Sequence, residues 1–232
     1  HGHLTAPFLI TGLASAGLIA YFWTLRLGSN PVIKKSDSKI ISPLKAVPHF
    51  FSQKRLRIAY TICISRSAFW VTIFIYGPIY VIEAGLPIWM SGGLLSAASG
   101  LLFISPMVSG LAGRYGARAL ILTGLGISVV SLVGLALVGS PKPAGLVFWM
   151  LGSVGATILD VLGNIPFMRS VRPRERPAMT VVFTTWREGS ELLTPAIAAL
   201  VLFFAAFLVF YLVLAVVLSF AATLAARLPR RF

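Results

Sequence analysis

Long apolar stretches, separated by short clusters of basic residues, set the pattern of this chain. A helix needs about 20 predominantly apolar residues to cross a hydrocarbon core of roughly 30 Å. Residues 4–25 carry no charge, 58–82 carry only Arg66, 84–113 and 119–139 carry none, and 144–168 carry only Asp160. The last stretch, 178–226, is charged only at Arg187, Glu188 and Glu191. As one helix it would run about 74 Å at 1.5 Å per residue, more than twice the hydrocarbon core. It therefore divides into two spans, 178–203 and 206–226, with a turn near Phe203–Phe207 that no Gly or Pro marks. The pattern predicts an all-α polytopic membrane protein with about seven transmembrane helices.

Composition supports lipid as the main solvent. Of 232 residues 57% are hydrophobic and 11% charged, and mean hydropathy is +0.90. A water-facing domain needs about a quarter charged residues. The net charge of +14 taken alone would suit nucleic acid. Its distribution points elsewhere. The polar segment 28–57 holds Lys34, Lys35, Lys39, Lys45, Lys54, Arg55 and Arg57, and the positive-inside bias places it in the cytoplasm. Alternating from there puts Arg114 and Arg118, then Arg169, Arg172, Arg174 and Arg176, then Arg227, Arg230 and Arg231 on the same side. Only Lys142, in the short Ser140–Ala144 connection, falls outside. The cations are spread over four loops without the interleaved aromatics of a single-strand binder, so the bilayer is the expected partner and nucleic acid is not.

Cys63 is the single cysteine, and His1, His3 and His49 all lie outside the apolar stretches. No disulfide framework, metal site or cofactor is expected. An intramembrane hydrolase would need a nucleophile and a base at membrane depth, and no span holds a histidine or a lysine, so the chain is not expected to be an enzyme. It begins at His1 with no initiator Met and no basic run before the first span. This reads as a piece of a longer chain, without an intact signal peptide.

The five ionised residues inside apolar stretches sit on three spans at one depth, roughly 12–20 Å from the cytoplasmic boundary. They are Arg66, Asp160, Arg187, Glu188 and Glu191. An isolated charge at that depth is unfavourable by at least ~2.5–3.5 kcal/mol, so these side chains should be paired and face protein or water. Arg187 and Glu191 are four apart, Glu188 and Glu191 three apart, and Asp160 and Asn164 four apart, which places each pair on one helix face. Two arginines against three carboxylates leave one acid without a cation. A static network that fixes helix register is one reading; binding of a substrate or proton is the other, favoured because three spans converge. Small residues at Ser96, Gly100, Gly124, Ser128, Gly152 and Gly155 mark expected close helix contacts.

At 109–118 the chain reads Ser-Gly-Leu-Ala-Gly-Arg-Tyr-Gly-Ala-Arg. This resembles the short cytoplasmic loop signature of the major facilitator superfamily, with Arg114, Gly116 and Arg118 matching and Gly113 in place of the usual Asp. The layout is similar too: one span (1–27), a basic cytoplasmic linker (28–57) and a six-span domain (58–232) look like the sixth helix, central linker and C-terminal half of a twelve-helix transporter. The stretches 160–169 and 186–195 resemble the tenth and eleventh helices of bacterial members.

The resemblance implies a secondary transporter of the plasma or inner membrane, a symporter or antiporter moving a small-molecule substrate by alternating access. Its missing N-terminal half would close the binding cavity. Arg66, Asp160, Asn164, Arg187, Glu188 and Glu191 become the candidate substrate or proton residues, with Asp160 or Glu191 as the titrating acid. Arg114, Gly116 and Arg118 become a gating loop. A non-transporting sensor or assembly partner with the same fold is the alternative.

Overall fold

The computed structural model describes residues 6–24 and 43–229, and these are helical with no strand. Residues 28–42 of the linker, with Lys34, Lys35 and Lys39, and the tail cations Arg230 and Arg231 lie outside the described residues. The chain divides into two units, 1–39 and 40–232. The first contains α1 (Ala6–Thr24), 19 residues without a charge, about 28 Å long.

The second unit holds α2 (Pro43–Ser52), α3 (Lys54–Glu83), α4 (Trp89–Gly100), α5 (Ser105–Tyr115), α6 (Ala117–Val138), α7 (Gly145–Leu162), α8 (Ile165–Ser170), α9 (Arg176–Phe204) and α10 (Phe207–Ala225). Five helical stretches among the described residues are long and apolar enough to cross a bilayer: α3, α4 with α5, α6, α7 with α8, and α10. The other two predicted spans differ for separate reasons. Helix α1 is a shorter apolar helix, uncharged throughout, and α9 carries Arg187, Glu188 and Glu191 close together.

Local chemistry explains the breaks. Between α4 and α5 the backbone tightens into a 3₁₀ turn, Leu101–Ile104, just before Pro106. Proline has no N–H and its ring blocks the carbonyl four residues earlier. That carbonyl, on Leu102, is taken up instead by the Ser105 hydroxyl. Pro166 likewise starts α8 after the turn at Gly163 and Asn164. Gly116 joins α5 to α6 at φ +85°, a conformation that Cβ-bearing residues rarely adopt. The reversal between α9 and α10 falls at Ala205 and Ala206, both extended, inside the predicted window.

One core cluster joins α3, α6, α7 and α10 around the fully buried Trp149, whose ring meets Phe69, Tyr80 and Tyr211. Helices α6 and α7 touch through the small residues expected to do so. A Cβ on Gly155 would lie 2.5 Å from Ser128 Oγ and 2.6 Å from Gly124 O. One on Gly152 would lie 2.5 Å from Ser131 Oγ. Ser96 and Gly100 depart from the expectation: Ser96 is exposed and a Cβ on Gly100 would meet nothing within 4 Å. Their face of α4 is left open by the helices of this unit.

A second cluster lies where α3 begins. Phe50 of α2 is fully buried against Phe167 of α8 and Phe183 of α9, which stack on each other with ring centroids 4.0 Å apart. Lys142 stands at the opposite end. Tyr80, late in α3, donates to its carbonyl at 3.0 Å and accepts from its N–H at 3.1 Å.

Candidate functional site

Arg66 lies on the twelfth step into α3, about 18 Å from its start, and Arg187 on the eleventh step into α9, about 17 Å. Both helices start beside the Phe50 cluster, so the two arginines share a level. Asp160 reaches that level from α7. Its Oδ1 stands 3.0 Å from Arg66 Nε, with the arginine side chain 7% and the aspartate 26% accessible. Each partner is held further. Trp70 Nε1 donates to Asp160 Oδ2 at 2.8 Å, and Arg66 Nη1 donates to the Leu159 carbonyl at 3.5 Å. The guanidinium carbon lies 4.5 Å from the centre of the Trp186 ring, a cation–π arrangement.

Arg187 and Glu191 form the second pair, Nε to Oε1 at 3.1 Å, well exposed on α9. Ser190, between them, hydrogen-bonds to Ser67 and ties α9 to α3. Tyr60 and Thr185 make a further link at 3.2 Å. These elements enclose an open cavity of about 500 Å³, within the range that holds small ligands. Arg66, Arg187 and Glu191 supply its charges. Trp70, Phe74 and Trp186 supply aromatic surface, with Trp70 and Phe74 stacked at 5.7 Å.

The structure therefore brings together Arg66 with Asp160 and Arg187 with Glu191. Glu188 has no ion pair among the described residues and lines a neighbouring groove with Thr184 and Thr185. Asn164 does not extend the Asp160 face, because α7 ends before it. It accepts from the Cys63 thiol at 3.6 Å. Arg114, Gly116 and Arg118 form the α5–α6 corner and do not line the cavity. Arg118 donates to the Ala226 carbonyl at the end of α10, while Arg114 is exposed.

The sequence reading did not assign Trp70, Trp186, Ser67 or Ser190 to the site, although Ser190 stands out as part of the polar character of its span. The signal was present: Arg66, Trp70 and Phe74 follow at intervals of four and share a helix face. Among the described residues no group of three or more His, Cys, Asp and Glu is placed to hold a metal.

A membrane-spanning helical bundle with a charged, aromatic-walled cavity part-way along its helices has the form of a transport protein. A family model described as Major Facilitator Superfamily matches residues 1–195, and the chain belongs to that superfamily of membrane transporters. No curated protein matches it.

Proposed function

We propose that this chain is the C-terminal part of a secondary active transporter of the plasma or inner membrane, moving a small solute by alternating access. Helix α1 is the last helix of an N-terminal half and residues 28–57 are the cytoplasmic linker. The six spans that follow are α3, α4 with α5, α6, α7 with α8, α9 and α10. The carboxyl tail is cytoplasmic, as are the loops carrying Arg118 and Arg174. The N-terminal half completes the cavity, and the two halves rock about the bound solute.

The observation that carries this reading is Arg66, paired with Asp160 behind it, on the wall of a 500 Å³ cavity flanked by Trp70, Phe74 and Trp186. Ionised groups at membrane depth are unfavourable unless paired and are commonly functional. Aromatic surface beside a pair with both signs suits a small amphipathic solute: its apolar part packs against Trp70 and Phe74, and its polar group exchanges with Arg187 or Glu191. Asp160 or Glu191 is the proton carrier of a coupled cycle. Arg114, Gly116 and Arg118 steady the inward-closed state, Gly116 by shaping the corner.

Solute flux by the transporter assembled with its N-terminal half tests the site. Asp160→Asn and Glu191→Gln are each expected to lower flux at least tenfold or to change its pH dependence. Parental flux and pH profile in both variants would remove the assignment.

A further inference from the structure

A cleft of about 310 Å³ opens between the start of α3 and the end of α10. Lys54 and Arg57 on α3 and Arg227 just past α10 bring three cations to it, and no acidic side chain lines it. None of the three forms an ion pair among the described residues. Like charges gathered without a counter-ion repel one another, so the arrangement is relieved by an anion of more than one charged oxygen. Arg118, by donating to the Ala226 carbonyl, fixes the chain end that carries Arg227.

Apart from Thr61, whose hydroxyl donates to the Arg57 carbonyl, the rest of the cleft is apolar. Phe220 and Leu224 face the cations across it, and Phe220 is 61% exposed. A second, mostly apolar cleft of about 80 Å³ lies further along the same seam where α9 joins it, lined by Ala68 of α3, Thr194 and Ile197 of α9, and Val213 and Val217 of α10. The helical register joins the two. Leu224, Phe220, Val217 and Val213 follow at intervals of four, three and four, one stripe along α10. From Arg57 to Ala68 the seam runs about 16 Å. A free phosphate compound would use the cations and leave this stripe bare.

We infer that the α3–α10 seam binds one anionic phospholipid, its phosphate among Lys54, Arg57 and Arg227 and an acyl chain along the α10 stripe towards Val213. The inference rests on the membrane-spanning helices and not on the transport cavity. Basic pockets at helix ends that face a membrane surface are suited to such head groups.

The test uses the full chain in nanodiscs of phosphatidylcholine with a minority of phosphatidylglycerol, and native mass spectrometry of the lipid retained after transfer to detergent. The parent is expected to retain one phosphatidylglycerol over phosphatidylcholine by about tenfold or more. K54Q/R57Q/R227Q is expected to lose that preference, and R172Q/R174Q, in a separate basic loop, to keep it. V217N/F220N keeps the cations and is expected to lower retention several-fold. Undiminished preference in the triple variant overturns the site, and equal loss in R172Q/R174Q reduces it to general surface charge. Displacement by glycerol phosphate at equal concentration, or full retention in V217N/F220N, would make it a site for a soluble phosphate compound.

Discussion

Arg66 is held at three points: the Asp160 carboxylate, the Leu159 carbonyl and the Trp186 ring. Removing one member of a buried pair leaves the other uncompensated, which is unfavourable by about 3–5 kcal/mol, whereas replacing both with apolar groups is often neutral. Arg66→Gln is therefore expected to lower the melting temperature in detergent strongly, and Arg66→Met with Asp160→Leu to restore it. If the pair also serves transport, the double variant stays inactive while stable; recovered flux would mark the pair as purely structural. Arg187 and Glu191 behave differently because both are well exposed, and such pairs contribute about 0–1 kcal/mol. Arg187→Gln should leave melting unchanged and lower flux. At Gly155 there is no room for a methyl group beside Ser128 and Gly124. Gly155→Ala is expected to lose about 1–3 kcal/mol through overpacking, read as a lower melting temperature and a smaller monodisperse peak on size exclusion.

Helices that share a level of charge do so because their ends are set by separate devices, and these devices differ in how openly the sequence displays them. The long uncharged runs of α6 and α10 were legible because their length and apolar composition match a bilayer span. The α9–α10 reversal was placed correctly only by length, since Ala205 and Ala206 carry no turn signal of their own. Helix α2 was hidden. Its basic, proline-bearing sequence reads as linker, and only its burial of Ala46 and Phe50 against α8 and α9 reveals its apolar face. The site was half legible for a similar reason. Spacing alone gives Arg187–Glu191, within one helix, but Arg66–Asp160 depends on how α3 meets α7, and Asn164 is diverted because Pro166 restarts the helix. Helix α2 offers its own prediction. Burying a phenylalanine side chain is worth about 3–5 kcal/mol against alanine. Phe50→Ala is expected to release α2, seen as faster amide exchange across residues 43–52 with α6 and α7 still protected. Unchanged exchange there would mean that Phe50 does not anchor the helix.

At the level of the whole molecule, threading and charge point to the same arrangement by independent routes. The α5–α6 corner meets the end of α10 through Arg118, and the start of α3 shares a cleft with Arg227, so these basic segments lie at one end of the second unit. Phe167 and Phe183 bring the α8–α9 connection, with Arg172 and Arg174, to the α2 side of the same end. Lys142 is held by Tyr80 at the other end. If a bilayer lies between, a membrane-impermeant maleimide added outside intact cells should label Lys142→Cys and not Arg174→Cys, and opening the cells should expose the second. Cys63 is buried between α3 and the α7–α8 turn, so it gives little background. Labelling of both positions from outside would break the alternation of spans. The shared depth of Arg66, Asp160, Arg187 and Glu191 would then be a feature of the bundle without meaning for the membrane, and the cavity could not serve as a crossing point.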